Sequence, residues 1–358
     1  MERLTRPLFG LAFATLGVGF VVFIAASTLL STLNIAAGIA AGLVGLAGTT
    51  MVALRITGRD WRAVTLVSFS RVKLADVAMA CLMAAASSVS LGGWFGQLSE
   101  RVFPTFILEL FDTSRILAGA MTNAIETSLV ALAVVVLAPL FEEFFFRGVF
   151  FRGLTHRLSV RASVLLSAAV FSAYHLDPVG FLARTEIGAL LAVLVWKTGS
   201  LWPAIAAHFT NNALAMGLIL AKVEDRDVPV WVSFSFLGVL VLTLVWVWRR
   251  RVEPMPPEVA KPAVSIGRAA WPWAAALGLA ALIILAVDYR GTQLTRIDLS
   301  APLLGAADPA AEAELALLRK LARAGQAEVS EYEKKRSALS EARFEALFAG
   351  LRERLKAR

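Results

Sequence analysis

Runs of about 20 apolar residues recur along most of this chain of 358 residues, and each is long enough as a helix to cross roughly 30 Å of hydrocarbon. That pattern removes most folds. Inside lipid a segment must satisfy its own backbone hydrogen bonds, so it spans as a helix or as a strand of a closed barrel, and these Leu/Ala/Val blocks lack two-residue alternation. The expectation is an all-α protein, a polytopic transmembrane helix bundle of about eight or nine spans with a C-terminal amphipathic helical tail. The chain is 58% hydrophobic and 17% charged with mean hydropathy +0.70, more apolar than a soluble core of this length needs. The expected spans cover 7–30, 32–54, 74–95, 127–146, 162–176, 179–196, 201–221, 230–248 and 269–287. The fifth and sixth are short, and the sixth carries Arg184 and Glu186, which fits a tilted helix or one that starts at a protein-lined cavity.

The first run is too long for a signal-peptide core and has no convincing small-residue cleavage site, so it is expected to stay as a helix. Cys81 is the single cysteine and lies in an apolar run, which rules out an intramolecular disulfide. A net charge of +8 would suggest nucleic acid in a soluble protein. Here the arginines gather at span ends, where they face lipid headgroups, so the bilayer is the expected partner and nucleic acid is not. If every span crosses, Arg55, Arg59, Arg62, Lys73, Arg152, Lys197 and Arg249 to Arg251 fall on one side and few basic residues on the other. The positive-inside rule then makes the N-terminus cytoplasmic, in a bacterial inner membrane on composition, and puts the tail outside.

Four regions follow: N-terminal membrane helices with an outer loop (1–125), a central membrane core (126–222), C-terminal membrane helices (223–288) and a polar tail (289–358). The outer loop holds Phe103 to Phe111, too short and too charged to span, expected as an interfacial or capping helix. In the tail, Asp308-Pro309 reads as a helix start, with an aspartate cap and proline at the first position. Phe344, Leu347, Phe348, Leu351 and Leu355 recur at helical spacing among charged residues, the pattern of an amphipathic helix.

The chemistry sits at Glu142-Glu143-Phe-Phe-Phe-Arg147, where two acids and a guanidinium end an apolar run. An ionised side chain at membrane depth costs roughly 2.5 to 3.5 kcal/mol even on lenient scales, so such a cluster is paired or functional. Glu143 and Arg147 are four apart with the acid first, the favourable order for a pair on one helix face. Glu142 points about 100° away and has no such partner, which makes it a candidate proton acceptor. Pro139 removes a backbone bond just before the acids and is expected to kink the span there. Pairing of both acids with Arg147 and Arg152 is the bland alternative.

Two of the three histidines weigh against that alternative. His175 ends Phe171-Ser-Ala-Tyr-His, one turn after Phe171, and His208 begins His-Phe-Thr-Asn-Asn, with Asn212 on its face. His156, in the arginine-rich connection, reads as a solvated loop residue. An acid, two imidazoles and an amide on three spans suit attack of water on a carbonyl, with a base for the water and donors for the oxyanion. Peptide hydrolysis fits. The same Glu142, His175 and His208 could serve as a three-ligand zinc site, although no His-Glu-x-x-His helix is present; no cofactor is favoured and zinc stays open. A serine elbow and glycine-rich phosphate loops are absent from the sequence.

Glu142-Glu143-x-x-x-Arg147, Phe171-x-x-x-His175 and His208-x-x-x-Asn212, in that order, resemble the CPBP family, which takes its name from CAAX proteases and bacteriocin-processing enzymes and is also called Abi. Thr198 to Asn212, with Trp202 and Pro203 ahead of the histidine, resembles its last motif closely. The resemblance covers about 129–216. It implies an intramembrane endopeptidase acting on a membrane-associated protein or peptide, its site in a cavity open toward the cytoplasm. Glu142 and His175 would activate water, His208 and Asn212 would line an oxyanion site, and Glu143 and Arg147 would position the helix. Two other classes use the same residues: a non-proteolytic immunity or scaffold protein, and a proton-coupled transporter.

Overall fold

The computed structural model describes residues 8–31, 33–69, 72–121, 124–222, 229–255, 257–287, 289–305 and 308–356. Among these the chain is helical, with one isolated β-bridge between Arg59 and Ala260 and no named strand. Seven helices are long and apolar enough to cross a membrane: α1 (Leu8–Ser31), α2 (Ile35–Ile56), α4 (Leu74–Val102), α7 (Ala124–Thr155), α10 (Trp202–Ala221), α11 (Val230–Arg249) and α12, whose apolar stretch is Ile266–Ile283. Between them lie short α3 (Trp61–Thr65), α5 (Thr105–Leu110) and α6 (Thr113–Ala120). The two weakest expected spans are α8 (Val160–Ala173) and α9 (Phe181–Thr198). The first is only about 21 Å long, short of a full crossing. They pack against each other as a consecutive pair, so counting them as crossings or not leaves the sides of every other helix unchanged.

Small residues set the first contact. α1 and α2 are closely packed, and a side chain at Gly38 or Gly42 would collide with Ser31 Oγ at 1.8 Å or Ser27 Oγ at 2.4 Å. Lipid offers no hydrophobic drive for two apolar helices to associate, so such close backbone approach supplies the van der Waals contact that holds them.

α7 departs most from expectation. The sequence reading ends this span at 146, because arginine marks a boundary; the helix continues to Thr155 and the acids lie well inside it. It continues because both arginines are buried with partners. Arg147 is paired within the bundle, and Arg152 donates to the carbonyls of Ala63 at 2.5 Å and Val64 at 3.0 Å. Arg152 therefore serves α3, not the acids. Pro139 opens the α-helical stretch that carries the acids, and π-helical turns flank it on both sides, at Leu132–Leu137 and Phe146–Phe151. Such turns widen a helix and recur at functional positions.

The two ends of the bundle differ in chemistry. At one end Trp202 Nε1 donates to Val67 O (3.0 Å), Lys197 Nζ to the carbonyls of Trp248 (2.9 Å) and Arg250 (3.0 Å), and Arg59 pairs with Glu258 (2.9 Å). The basic span ends thus meet on one face. At the other end Leu117 of α6 packs with Val130 and Met216, and two short helices, α5 and α6, stand where one was expected. The tail docks on this end as α13 (Tyr289–Ser300), α14 (Pro309–Arg323) and α15 (Val329–Lys356) around Leu294, Ile297, Leu315, Ala322 and Tyr332. Asp308 caps α14 as expected, accepting from the N–H groups of Ala310 and Ala311. Arg115 reaches Glu312 at 3.3 Å, and Arg323 pairs with Glu126 at the start of α7. The tail therefore lies opposite the basic face. The side chains of Leu351 and Leu355, part of the expected amphipathic stripe, lie outside what is described.

Candidate active site

Three elements bring the expected residues together: the middle of α7, the end of α8 and the first half of α10. Glu143 and Arg147 are fully buried, and their ion pair is 2.7 Å long. A carboxylate and a guanidinium out of water are stabilised by each further bond they make, although Glu143 Oε2 and Arg147 Nε find no hydrogen-bond partner among the described residues. Arg147 Nη2 accordingly donates to Gly188 O at 2.9 Å, and its guanidinium lies 4.3 Å from the centre of the Phe171 ring. Gly188 is required there: a Cβ would stand 3.2 Å from Arg147 Nη2, from Ala168 Cα and from Phe171 Cδ1.

Glu143 has a second task that no spacing rule foresees. Its Oε1 also lies 2.9 Å from Nδ1 of His208. A carboxylate already held by arginine only accepts, so His208 carries its hydrogen on Nδ1 and turns Nε2 the other way. Nε2 then faces Glu142, with Oε2 of that residue 3.8 Å away. Glu142 is 7% exposed, and this oxygen has no hydrogen-bond partner among the described residues.

Phe171 joins the parts. Its ring meets those of His175 (5.0 Å between centroids), His208 (5.8 Å) and Phe146 (5.1 Å) edge-on. His175 Nδ1 lies 2.9 Å from Phe171 O, a carbonyl, so it donates there and leaves Nε2 as an acceptor. His175 is exposed, whereas Glu142 and His208 are buried behind it. The turn that follows is built tightly: Leu176 adopts a left-handed φ of 53°, and Asp177 Oδ1 accepts from the N–H groups of Val179 (2.8 Å) and Gly180 (3.2 Å). Asn212 Nδ2 donates to Val134 O at 2.9 Å, inside the first π turn of α7. Ser88, Asn211 and Asn212 form a polar chain across α4 and α10, with Ser88 Oγ to Asn211 Oδ1 at 2.7 Å and Asn211 Nδ2 to Asn212 Oδ1 at 3.1 Å.

Among the described residues no three His, Cys, Asp or Glu side chains group as metal ligands; the engaged Nδ1 atoms leave Nε2 of both histidines as the nitrogens that could hold a metal. His156, expected as a solvated loop residue, is exposed on a turn and comes within 3.4 Å of Glu258. Two residues without an assigned role stand beside the centre. Arg184, on the first turn of α9, pairs with Asp177, and its charge acts on both Glu142 and His175. Tyr174 is packed by Phe20, Phe23 and Phe146, with its hydroxyl buried and without a hydrogen-bond partner among the described residues. The only sequence signal for Arg184 is a charge in an apolar run.

Fold and site together define a multi-pass helical membrane protein with a buried glutamate–histidine centre. Residues 124–214 match the family model for type II CAAX prenyl endopeptidase Rce1-like proteins. The match spans the acids, both histidines and Asn212, in agreement with the resemblance carried by the motifs. No curated protein and no solved structure matches the chain.

Proposed function

We propose that this protein is an intramembrane endopeptidase that uses Glu142 to activate water against a peptide bond of a membrane-associated protein. The observation that carries the proposal is the different employment of two adjacent acids. Glu143 is held through Oε1 by both Arg147 and His208, while the Glu142 side chain makes no hydrogen bond among the described residues and keeps its buried Oε2 3.8 Å from His208 Nε2.

Charge balance gives the resting state. Two carboxylates against one guanidinium leave a net negative charge out of water, and one proton shared between Glu142 and His208 neutralises it. When that proton is on His208, Glu142 is a carboxylate ready to take a hydrogen from water, with His175 Nε2 accepting the other. The oxygen of that water attacks the carbonyl carbon. The oxyanion so formed is held by His208 Nε2–H and the second amide hydrogen of Asn212. Glu142 then passes its proton to the leaving nitrogen as the C–N bond breaks, and a carboxylic acid and an amine depart.

His208 lies six residues after the start of α10, about 9 Å along the axis from the basic end of the bundle. On the positive-inside rule that end is cytoplasmic, which places the chemistry in the cytoplasmic half of the membrane and the tail across it. The test is comparative membrane proteomics of cells carrying the wild type or Glu142→Ala. The proposal expects a discrete set of proteins to accumulate uncut only in the mutant; identical fragment sets would refute it.

A further inference from the structure

Arg184 is a cation without an assigned task, and its surroundings are built to hold it at the centre. It stands on the first turn of α9 and pairs with Asp177, whose other oxygen fixes the turn by accepting from Val179 and Gly180. Arg184 Nη2 also donates to Asp177 O at 3.2 Å. Gly180 makes the space: a Cβ there would lie 2.4 Å from Arg184 Nη2. Yet the guanidinium is not used up. Its Nε is buried without a hydrogen-bond partner among the described residues, while 24% of the side chain remains exposed. The N-terminal turn of α9 beneath it has no side-chain cap on Gly180, so its backbone N–H groups add a positive end. Beside it is exposed His175, and Arg184 also acts electrostatically on Glu142.

A partly exposed guanidinium already anchored by one carboxylate is suited to a second carboxylate, with little side-chain entropy left to lose. A CAAX-type chain ends in a free carboxylate three residues beyond the scissile bond, within about 10 Å of it when extended. We infer that Arg184 recognises the C-terminal carboxylate of the substrate and thereby sets cleavage close to a chain end. The inference rests on the endopeptidase reading of the same site. It makes Arg184 a specificity-determining residue and leaves the bond-breaking step to Glu142 and its neighbours.

The test reads binding separately from cleavage. The full-length protein in a neutral detergent is titrated with the tripeptide Val-Ile-Ser as the free acid and as the C-terminal amide. Wild type and Glu142→Gln are expected to bind the acid roughly tenfold more tightly than the amide, as a charge-assisted hydrogen bond implies. Arg184→Gln should lose that preference, and Arg184→Lys should keep part of it if the fold is intact. Equal binding of acid and amide by the wild type, no binding of either, or a preference that survives Arg184→Gln overturns the inference. Cleavage of a farnesylated CAAX peptide by Glu142→Gln would instead sink the peptidase reading, whatever the tripeptides show.

Discussion

Glu143 Oε1 sits 2.9 Å from Nδ1 of His208, on a helix 65 residues further along the chain. Through that contact the buried Glu143–Arg147 pair fixes which nitrogen of His208 carries hydrogen and aims the other at Glu142. The two neighbouring acids therefore differ in kind. One bonds both Arg147 and His208; the side chain of the other makes no hydrogen bond among the described residues.

Replacing Glu143 should damage the fold as well as the activity. Glu143→Gln leaves Arg147 charged and buried without its carboxylate, a change that costs about 3–5 kcal/mol for such a pair. A clear drop in thermal midpoint of the purified protein, together with loss of cleavage, is expected. An unchanged midpoint would show that the pair bears little load.

Arg147→Lys should fail to restore what Arg147→Met loses. A lysine ammonium cannot meet Glu143 and Gly188 O in one plane while lying flat on Phe171. The double variant Glu143→Gln/Arg147→Met should be less destabilised than the sum of its parts, because neither leaves a lone charge. Additive losses in a thermal double-mutant cycle would contradict this.

Gly188→Ala places a methyl 3.2 Å from the guanidinium and from Phe171. Pushing either aside moves a part that orients both histidines, and overpacking of this order costs about 1–3 kcal/mol. Cleavage should fall further than stability does; normal activity would mean that the centre tolerates looser packing than the geometry implies.

The tail is expected to respond to charge and alkali without involving the centre. Arg115→Ala with Arg323→Ala removes its ties to α6 and α7, so limited proteolysis should release 289–358 more readily while cleavage persists. Within the tail, Tyr332 donates to Asp298 Oδ1 at 2.5 Å, and burial first, then Asp298, pushes its phenol above the ordinary value of 10.0. The folded tail therefore holds a proton that the unfolded chain gives up sooner. Its stability should be flat below that ordinary value and fall as pH rises beyond it, with Tyr332→Phe abolishing the fall.

Much of this was legible in the sequence where the cause is local. Glu143 and Arg147 pair because four residues of helix bring them together, and Asp308 caps because proline follows it. The spans could be read from apolar length, except where arginines are neutralised by distant groups. No pattern within α7 announces that Ala63 and Val64 offer carbonyls to Arg152. The same limit hid the contact of Glu143 with His208 and the anchoring of Arg184 by Asp177 across a strained turn. Each depends on where separate helices meet. The motif order named residues that the fold brings close together, and the packing shows which pairs of them touch.

The most direct test compares Glu142→Gln with the wild type in one preparation, following release of the C-terminal fragment from a farnesylated CAAX peptide alongside the thermal midpoint. Because Glu142 holds no ion pair as close as that of Glu143, the variant should unfold at or above the wild-type temperature while cleavage falls roughly 100- to 10,000-fold. Cleavage at the wild-type rate by a well-folded Glu142→Gln would contradict the account.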